Sequence, residues 1–309
     1  TVREKLSSID IDGIIDSAYL ASFLKPSRYS LFKRIGNSEK PDVVAAKLLE
    51  GRIAVIADGS PIVLTLPFVL LEDLQDSYDY YASDWKAAFA RIFRLMGAVL
   101  TVMLPAAYVA LQSAHYHLLP LKFLMTLVGA TASIPFPPAV EMLVVLLLFE
   151  ILNEASVRMP RYLGVSLSIV GAIVLGDTAV KAGLISSPAV LVTALSSIGV
   201  FCVPDQVGTL SILRILFLCV SAVLGLFGII VFGLCLLAYL ACLSSFGSPY
   251  LAPYAPRISP DLKDGVFVAP VSEMKTRPYS IPNANRTRLN TDGKDAEDGE
   301  IPAQKGGDE

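Results

Sequence analysis

The stretch Ile215-LFLCVSAVLGLFGIIVFGLCLLAYLACLSSFGSPYLAPYA-Pro256 contains no Asp, Glu, Lys or Arg. A charge near the centre of a bilayer costs about 3 kcal/mol on insertion scales, so long charge-free runs are the mark of membrane segments. A straight crossing of the hydrocarbon core takes about 20 residues. This run is longer, so it is expected to fold back on itself near Gly225–Gly228.

The rest of the chain agrees with that opening. Of 309 residues, 54% are hydrophobic and 17% charged, against roughly 25% charged in average soluble proteins. The mean hydropathy is +0.60. The net charge of −3 is nearly balanced and implies no nucleic-acid partner. Charges crowd into residues 1–94 and 257–309, leaving an apolar middle. Three parts are therefore expected: the C-terminal end of a cytoplasmic α/β soluble domain (1–90), a membrane domain (91–245), and a cytoplasmic tail (246–309), disordered from about 278. The chain begins at Thr1 without a signal peptide and reads as a piece of a longer protein. Cys202, Cys219, Cys235 and Cys242 lie in apolar surroundings and read as packing residues.

Within 1–90, Asp12 is a candidate cap for a helix running to Leu24. Pro41 and Gly51 fit the start and stop of another. Arg52–Ala57, the turn Asp58-Gly59, and Ile62–Leu66 form a hairpin signal. Trp85 suits an interfacial anchor. The fold class is mainly α, a polytopic membrane domain of about six spans plus a re-entrant or broken segment. The spans are Ile92–Ser113 with Pro105 inside, Ala139–Leu152, Leu163–Thr178, Pro188–Val203 and the two arms of the final run. Leu118–Ser133, ending at the Pro135–Pro138 cluster, is the broken segment. This arrangement puts Arg91, Arg94, Arg158, Arg161, Arg214, Arg257 and Lys263 on one side with both termini, which the positive-inside rule makes cytoplasmic. Lys122 and Lys181 fall on the other side.

Enzyme signatures are missing: there is no Walker loop, GxSxG, HExxH or zinc spacing. No catalytic residue, cofactor or metal site is expected. Asp10-x-Asp12-Gly13 reads as helix capping, and His115 and His117 as loop residues. Three acidic residues stand out as intramembrane polar candidates: Glu141, Glu150 and Asp177. Glu141 and Glu150 are nine positions apart and cannot share one face of a straight helix. Glu141 sits in a first helical turn, where the dipole favours an anion. Glu150, Glu154 and Arg158 form an i, i+4 ladder. Thr193, Ser196, Ser197 and Val200 make a strip of small residues that suits either close helix packing or a wetted pore lining. Gly164, Ser168 and Gly171 make a similar strip.

Several separated motifs carry a resemblance. They are Gly51-Arg-Ile-Ala-Val-Ile-Ala-Asp-Gly-Ser-Pro61, Pro135-Phe-Pro137, Glu150-Ile-Leu-Asn-Glu-Ala-Ser-Val-Arg-Met-Pro160, Ser168-Ile-Val-Gly-Ala172, Ala179-Val-Lys-Ala-Gly183, Ser245-Phe-Gly-Ser-Pro-Tyr-Leu-Ala-Pro253 and Asn285-Arg-Thr-Arg288. In this order they resemble the A subunit of the spore nutrient germinant receptors, the GerA family. The chain departs from the family's usual pattern at Gly176-Asp-Thr-Ala179 and at Leu146. The resemblance implies a multi-pass subunit in the inner spore membrane. Its partners would be a transporter-like B subunit, a lipoprotein C subunit, further copies of itself and membrane lipid. It also implies a cation-release path that opens during germination; for such a path the strip Thr193, Ser196, Ser197 and Val200, read above from its spacing, is the pore-lining candidate. A sporulation-specific sibling of the SpoVAF type, a secondary transporter and a structural scaffold are the alternative readings.

Overall fold

The computed structural model describes residues 2–25, 30–158, 160, 171, 173–283 and 285–289. The first helices are α1 (Val2–Ser7) and α2 (Ser17–Leu24). Asp16, in extended backbone, accepts the Ser17 amide at 2.6 Å and caps α2. The expected cap was Asp12. Asp16 takes the role because its carboxylate also receives the Ser60 hydroxyl from the sheet side.

Helix α3 (Pro41–Leu49) has proline in its first turn and is followed by Gly51 at φ +96°. That left-handed conformation is where a helix stop favours glycine. Strands β1 (Gly36–Ser38), β2 (Ile53–Val55) and β3 (Val63–Leu66) form an antiparallel sheet of order β1-β3-β2, with Asn37 opposite Leu64 and Ala54 opposite Thr65. Leu20, Leu24, Ile35, Leu64 and Leu66 are the buried core of this small α/β unit.

Short 3-10 turns at Leu70–Leu74 and Ser77–Tyr80 lead into the long helix α4 (Asp84–Ser113). Then come α5 (Leu121–Thr131), α6 (Pro138–Arg158), α7 (Ser187–Val200) and α8 (Val207–Cys242). Helices α4 and α7 cross backbone to backbone. A Cβ on Gly199 would lie 2.5 Å from Thr101 Oγ1 and 2.7 Å from the Gly97 carbonyl oxygen. Glycine on both helices is what permits the approach.

Helix α8 is broken at Gly225, whose φ of 62° and ψ of −145° are not helical. The chain reverses there, inside the bend expected from the sequence. The Phe217 and Phe232 rings meet at 4.8 Å between centroids. At 1.5 Å per residue a straight helix would hold them about 22 Å apart. Both ends of the hairpin return to the same segment: Thr209 donates to the Leu31 carbonyl, and Tyr239 packs on Phe32. Phe217, Ile229, Val102 and Ala106 share a buried cluster with Phe32, Phe68 and Tyr250, so the helices and the α/β unit have a continuous core.

The expected fold class needs correction. Among the described residues two helical stretches, Asp84–Ser113 and Pro204–Cys242, are long and apolar enough to cross a membrane, in place of about six. Helices α5 and α7 have 11 and 14 residues, about 17 and 21 Å at 1.5 Å per residue, short of a core about 30 Å thick. Helix α6 carries Glu141, Glu150, Glu154 and Arg158. The expected span Leu163–Thr178 falls largely on residues 163–170 and 172, outside the described residues, as do Arg161, Gly164 and Ser168. In the described part of the tail, backbone pairing continues past residue 278. Arg277 N donates to Arg286 O, and Arg288 N to Lys275 O, folding the tail back on itself. Asn283 then ties it to α3 by donating to the Glu50 carbonyl at 3.0 Å.

Candidate functional site

Proline lacks the amide that would bond to the carbonyl four residues earlier. Pro105 therefore leaves the Thr101 carbonyl of α4 without its intrahelical donor. Ser196, on α7, donates its hydroxyl to that carbonyl at 2.7 Å. The same Ser196 oxygen receives Arg214 Nη1 at 3.2 Å, and Ser197 Oγ receives it at 3.3 Å. The other terminal nitrogen of Arg214 meets Glu150 Oε2 at 2.7 Å. Arg214 comes from α8, Glu150 from α6, the serines from α7 and the carbonyl from α4, so one guanidinium joins four helices. Its side chain is 1% exposed and that of Glu150 34% exposed. Burying a guanidinium among apolar helices is costly unless it is paired and hydrogen-bonded. Here it is both, although its Nε finds no partner among the described residues.

Each sequence candidate can now be placed. Thr193, Ser196, Ser197 and Val200 are all buried within the chain, and Thr193 Oγ1 lies 3.2 Å from Met142 Sδ of α6. Glu141 is buried and accepts the Ser186 amide at 2.6 Å. Ser186 caps α7, so Glu141 pins the start of α6 to the start of α7. Asp177 is exposed and pairs with Lys181 at 2.8 Å. Arg158 pairs with Glu154 at the exposed end of α6, while Glu150 turns inward to Arg214. The sequence reading placed Arg214 at the mouth of the final run and missed this partnership. The signal was there: α8 contains no Asp or Glu, so the counter-charge of Arg214 had to come from outside its own helix.

A second cluster collars the base of the helices. Arg91 is fully buried in α4. It bonds Asp79 at 3.1 Å, Asp264 at 2.9 Å and the Gly265 carbonyl at 2.5 Å. Arg94 grips both oxygens of Asp79, at 2.7 and 2.9 Å. Burial pushes the Asp79 carboxyl up, but its bonds to Arg94, the Asp76 amide and Arg91 outweigh that and hold it below the ordinary value. Ser245, just after α8, donates to the Arg34 carbonyl at 2.6 Å and accepts the Phe68 amide at 3.0 Å. These bonds place the α/β unit and the chain after α8 at the same end of the helices. Glu72 joins the unit internally through Arg52, Lys47 and the Val69 amide. Burial raises its carboxyl, and the two cations with that amide bring it below the ordinary range.

The fold and its two charge clusters define a class: a small α/β unit stapled to apolar helices that hold a buried ion pair. Residues 1–280 match the family model described as Bacillus/Clostridium GerA spore germination protein. The chain is 37% identical over 293 residues to "Spore germination protein KA" of Bacillus subtilis, covering 94% of this chain and 54% of that protein. It is 36% identical over 291 residues to "Spore germination protein GerQA" of Bacillus cereus, covering 94% and 58%. It is 36% identical over 299 residues to "Uncharacterized membrane protein YfkQ" of Bacillus subtilis, covering 96% and 58%. No solved structure matches. The chain belongs to the GerA family of spore germination proteins, and it spans a little over half the length of these relatives.

Proposed function

We propose that the chain is the greater part of an A-type membrane subunit of a spore nutrient germinant receptor, acting in signal transduction at the inner spore membrane. The observation that carries this reading is the Arg214–Glu150 pair, whose guanidinium is 1% exposed where α6, α7 and α8 meet. Ionisable residues inside membrane helices are rare, pair with one another, and mark ion pathways, relays and switches. The names of the relatives supply the germination context, and one relative is named a membrane protein. In this reading the subunit oligomerises, works beside a transporter-like B subunit and a lipoprotein C subunit, and opens a path for monovalent cations. On this reading the strip Thr193, Ser196, Ser197 and Val200, which is buried within its own chain, lines the path only after α7 turns. Arg91 and Arg94 at the collar support a cytoplasmic α/β unit.

The test is genetic. In a spore former stripped of its other GerA-family receptors, deletion of the full-length gene should abolish nutrient-triggered potassium release, and its return should restore it. Potassium release that persists undiminished in the deletion strain would refute the reading.

A further inference from the structure

Three oxygens converge on the Arg214 guanidinium from two other helices: Glu150 Oε2 at 2.7 Å, Ser196 Oγ at 3.2 Å and Ser197 Oγ at 3.3 Å. A carboxylate with nearby hydroxyls is hard-oxygen chemistry, which suits a small cation lacking any preference for nitrogen or sulfur. The site is one-third open on the Glu150 side and closed on the Arg214 side. The guanidinium does not use its full donor set there, since Nε is buried without a partner among the described residues. Only the two terminal nitrogens meet these oxygens, and a spherical ion needs no more than the oxygens themselves.

We infer that Glu150, Ser196 and Ser197 form a monovalent-cation site, and that Arg214 is a tethered cation filling it in the closed state. The inference rests on the cation-path reading above and sharpens it. Opening then requires α8 to withdraw Arg214 from the face of α7, freeing the oxygens for the permeant ion. While Arg214 is seated it does two things: it neutralises Glu150 and repels any cation that approaches. Arg214 is thus the residue that sets the resting state, and Glu150 the residue that selects charge.

The probe is rubidium. Equilibrium binding of labelled Rb+ to the full-length protein in detergent is compared between Arg214→Gln and Arg214→Gln/Glu150→Gln, with Arg214→Met as a second occupant of the same space should the Gln variant not fold. The single variant should bind Rb+ at least tenfold more tightly than the double. A folded single variant that binds no better than the double overturns the inference. A second arm uses Glu150→Gln in vesicles carrying the complete receptor: with Arg214 left unneutralised, Rb+ flux should fall at least tenfold below wild type, and unchanged flux overturns the inference. Wild-type vesicles that pass no Rb+ would instead defeat the cation-path reading, and the binding arm would still decide whether the site exists.

Discussion

Ser196 donates its hydroxyl, at 2.7 Å, to the Thr101 carbonyl, the carbonyl that Pro105 leaves unpaired one turn further along α4. A proline is tolerated inside an apolar helix when a neighbour re-satisfies the freed backbone group. Ser196→Ala should destabilise the protein by about 1–3 kcal/mol, the cost of an orphaned buried acceptor. Pro105→Ala returns an amide to α4, so the serine's loss should cost about 1 kcal/mol less in that background. Denaturation of the four proteins of this cycle in detergent checks it, and strict additivity would show the two residues to be independent.

Gly199→Ala should weaken the α4–α7 crossing. Its methyl would meet the Gly97 carbonyl oxygen at 2.7 Å, a backbone atom that moves only with its helix. Overpacking of this kind costs about 1–3 kcal/mol. A lowered melting temperature is expected, together with weaker cross-linking between cysteines placed on the two helices.

The tail fastens the α/β unit at Gly51. This glycine sits at φ +96°, and a Cβ there would lie 2.6 Å from Asn283 Nδ2. Gly51→Ala therefore faces backbone strain and a steric clash, and should cost about 1–2 kcal/mol. Asn283→Ala removes the clash and leaves the strain. It should also free the tail, seen as faster amide exchange in residues 275–289 with the sheet unaffected.

Acid should loosen the α/β unit through Glu72. Its folded carboxyl lies below the ordinary value of 4.5, so its stabilisation is full above that pH and is lost as pH falls through the folded value. Asp79 works in the same sense from its ordinary value of 3.8. Glu72→Gln should cost about 3 kcal/mol at pH 7, because it leaves Arg52 and Lys47 without their buried partner. The gap to wild type should narrow as pH falls below about 4.5. Melting curves from pH 7 to pH 3 test this, and a gap that stays constant with pH would count against it.

What the sequence made legible was local. Pro41 and Gly51 marked α3 because their backbone preferences act at one residue. The bend at Gly225 was legible because a charge-free run too long for one crossing must turn somewhere, and glycine accepts the turn. The first-turn position of Glu141 could be read, but its bond to Ser186 could not, since that depends on where a second helix begins. The partnership of Glu150 and Arg214 was hidden for the same reason: the sequence offered Glu154 and Arg158 at i, i+4 spacing, and only the packing of α6 on α8 turned Glu150 inward. The number of spans was overcounted because apolar runs such as Ala139–Leu152 and Pro188–Val203 read as crossings, whereas α6 carries Glu141, Glu150, Glu154 and Arg158 and α7 has only 14 residues.

The most direct test of the cation-release reading is potassium efflux from vesicles loaded with K+ and carrying the full-length subunit with the proposed B and C partners. Adding the cognate nutrient should release K+ in wild type, and Arg214→Gln should release it without nutrient. Vesicles that hold their potassium in both cases, with the proteins folded and inserted, would contradict the proposal that this subunit forms a gated cation path.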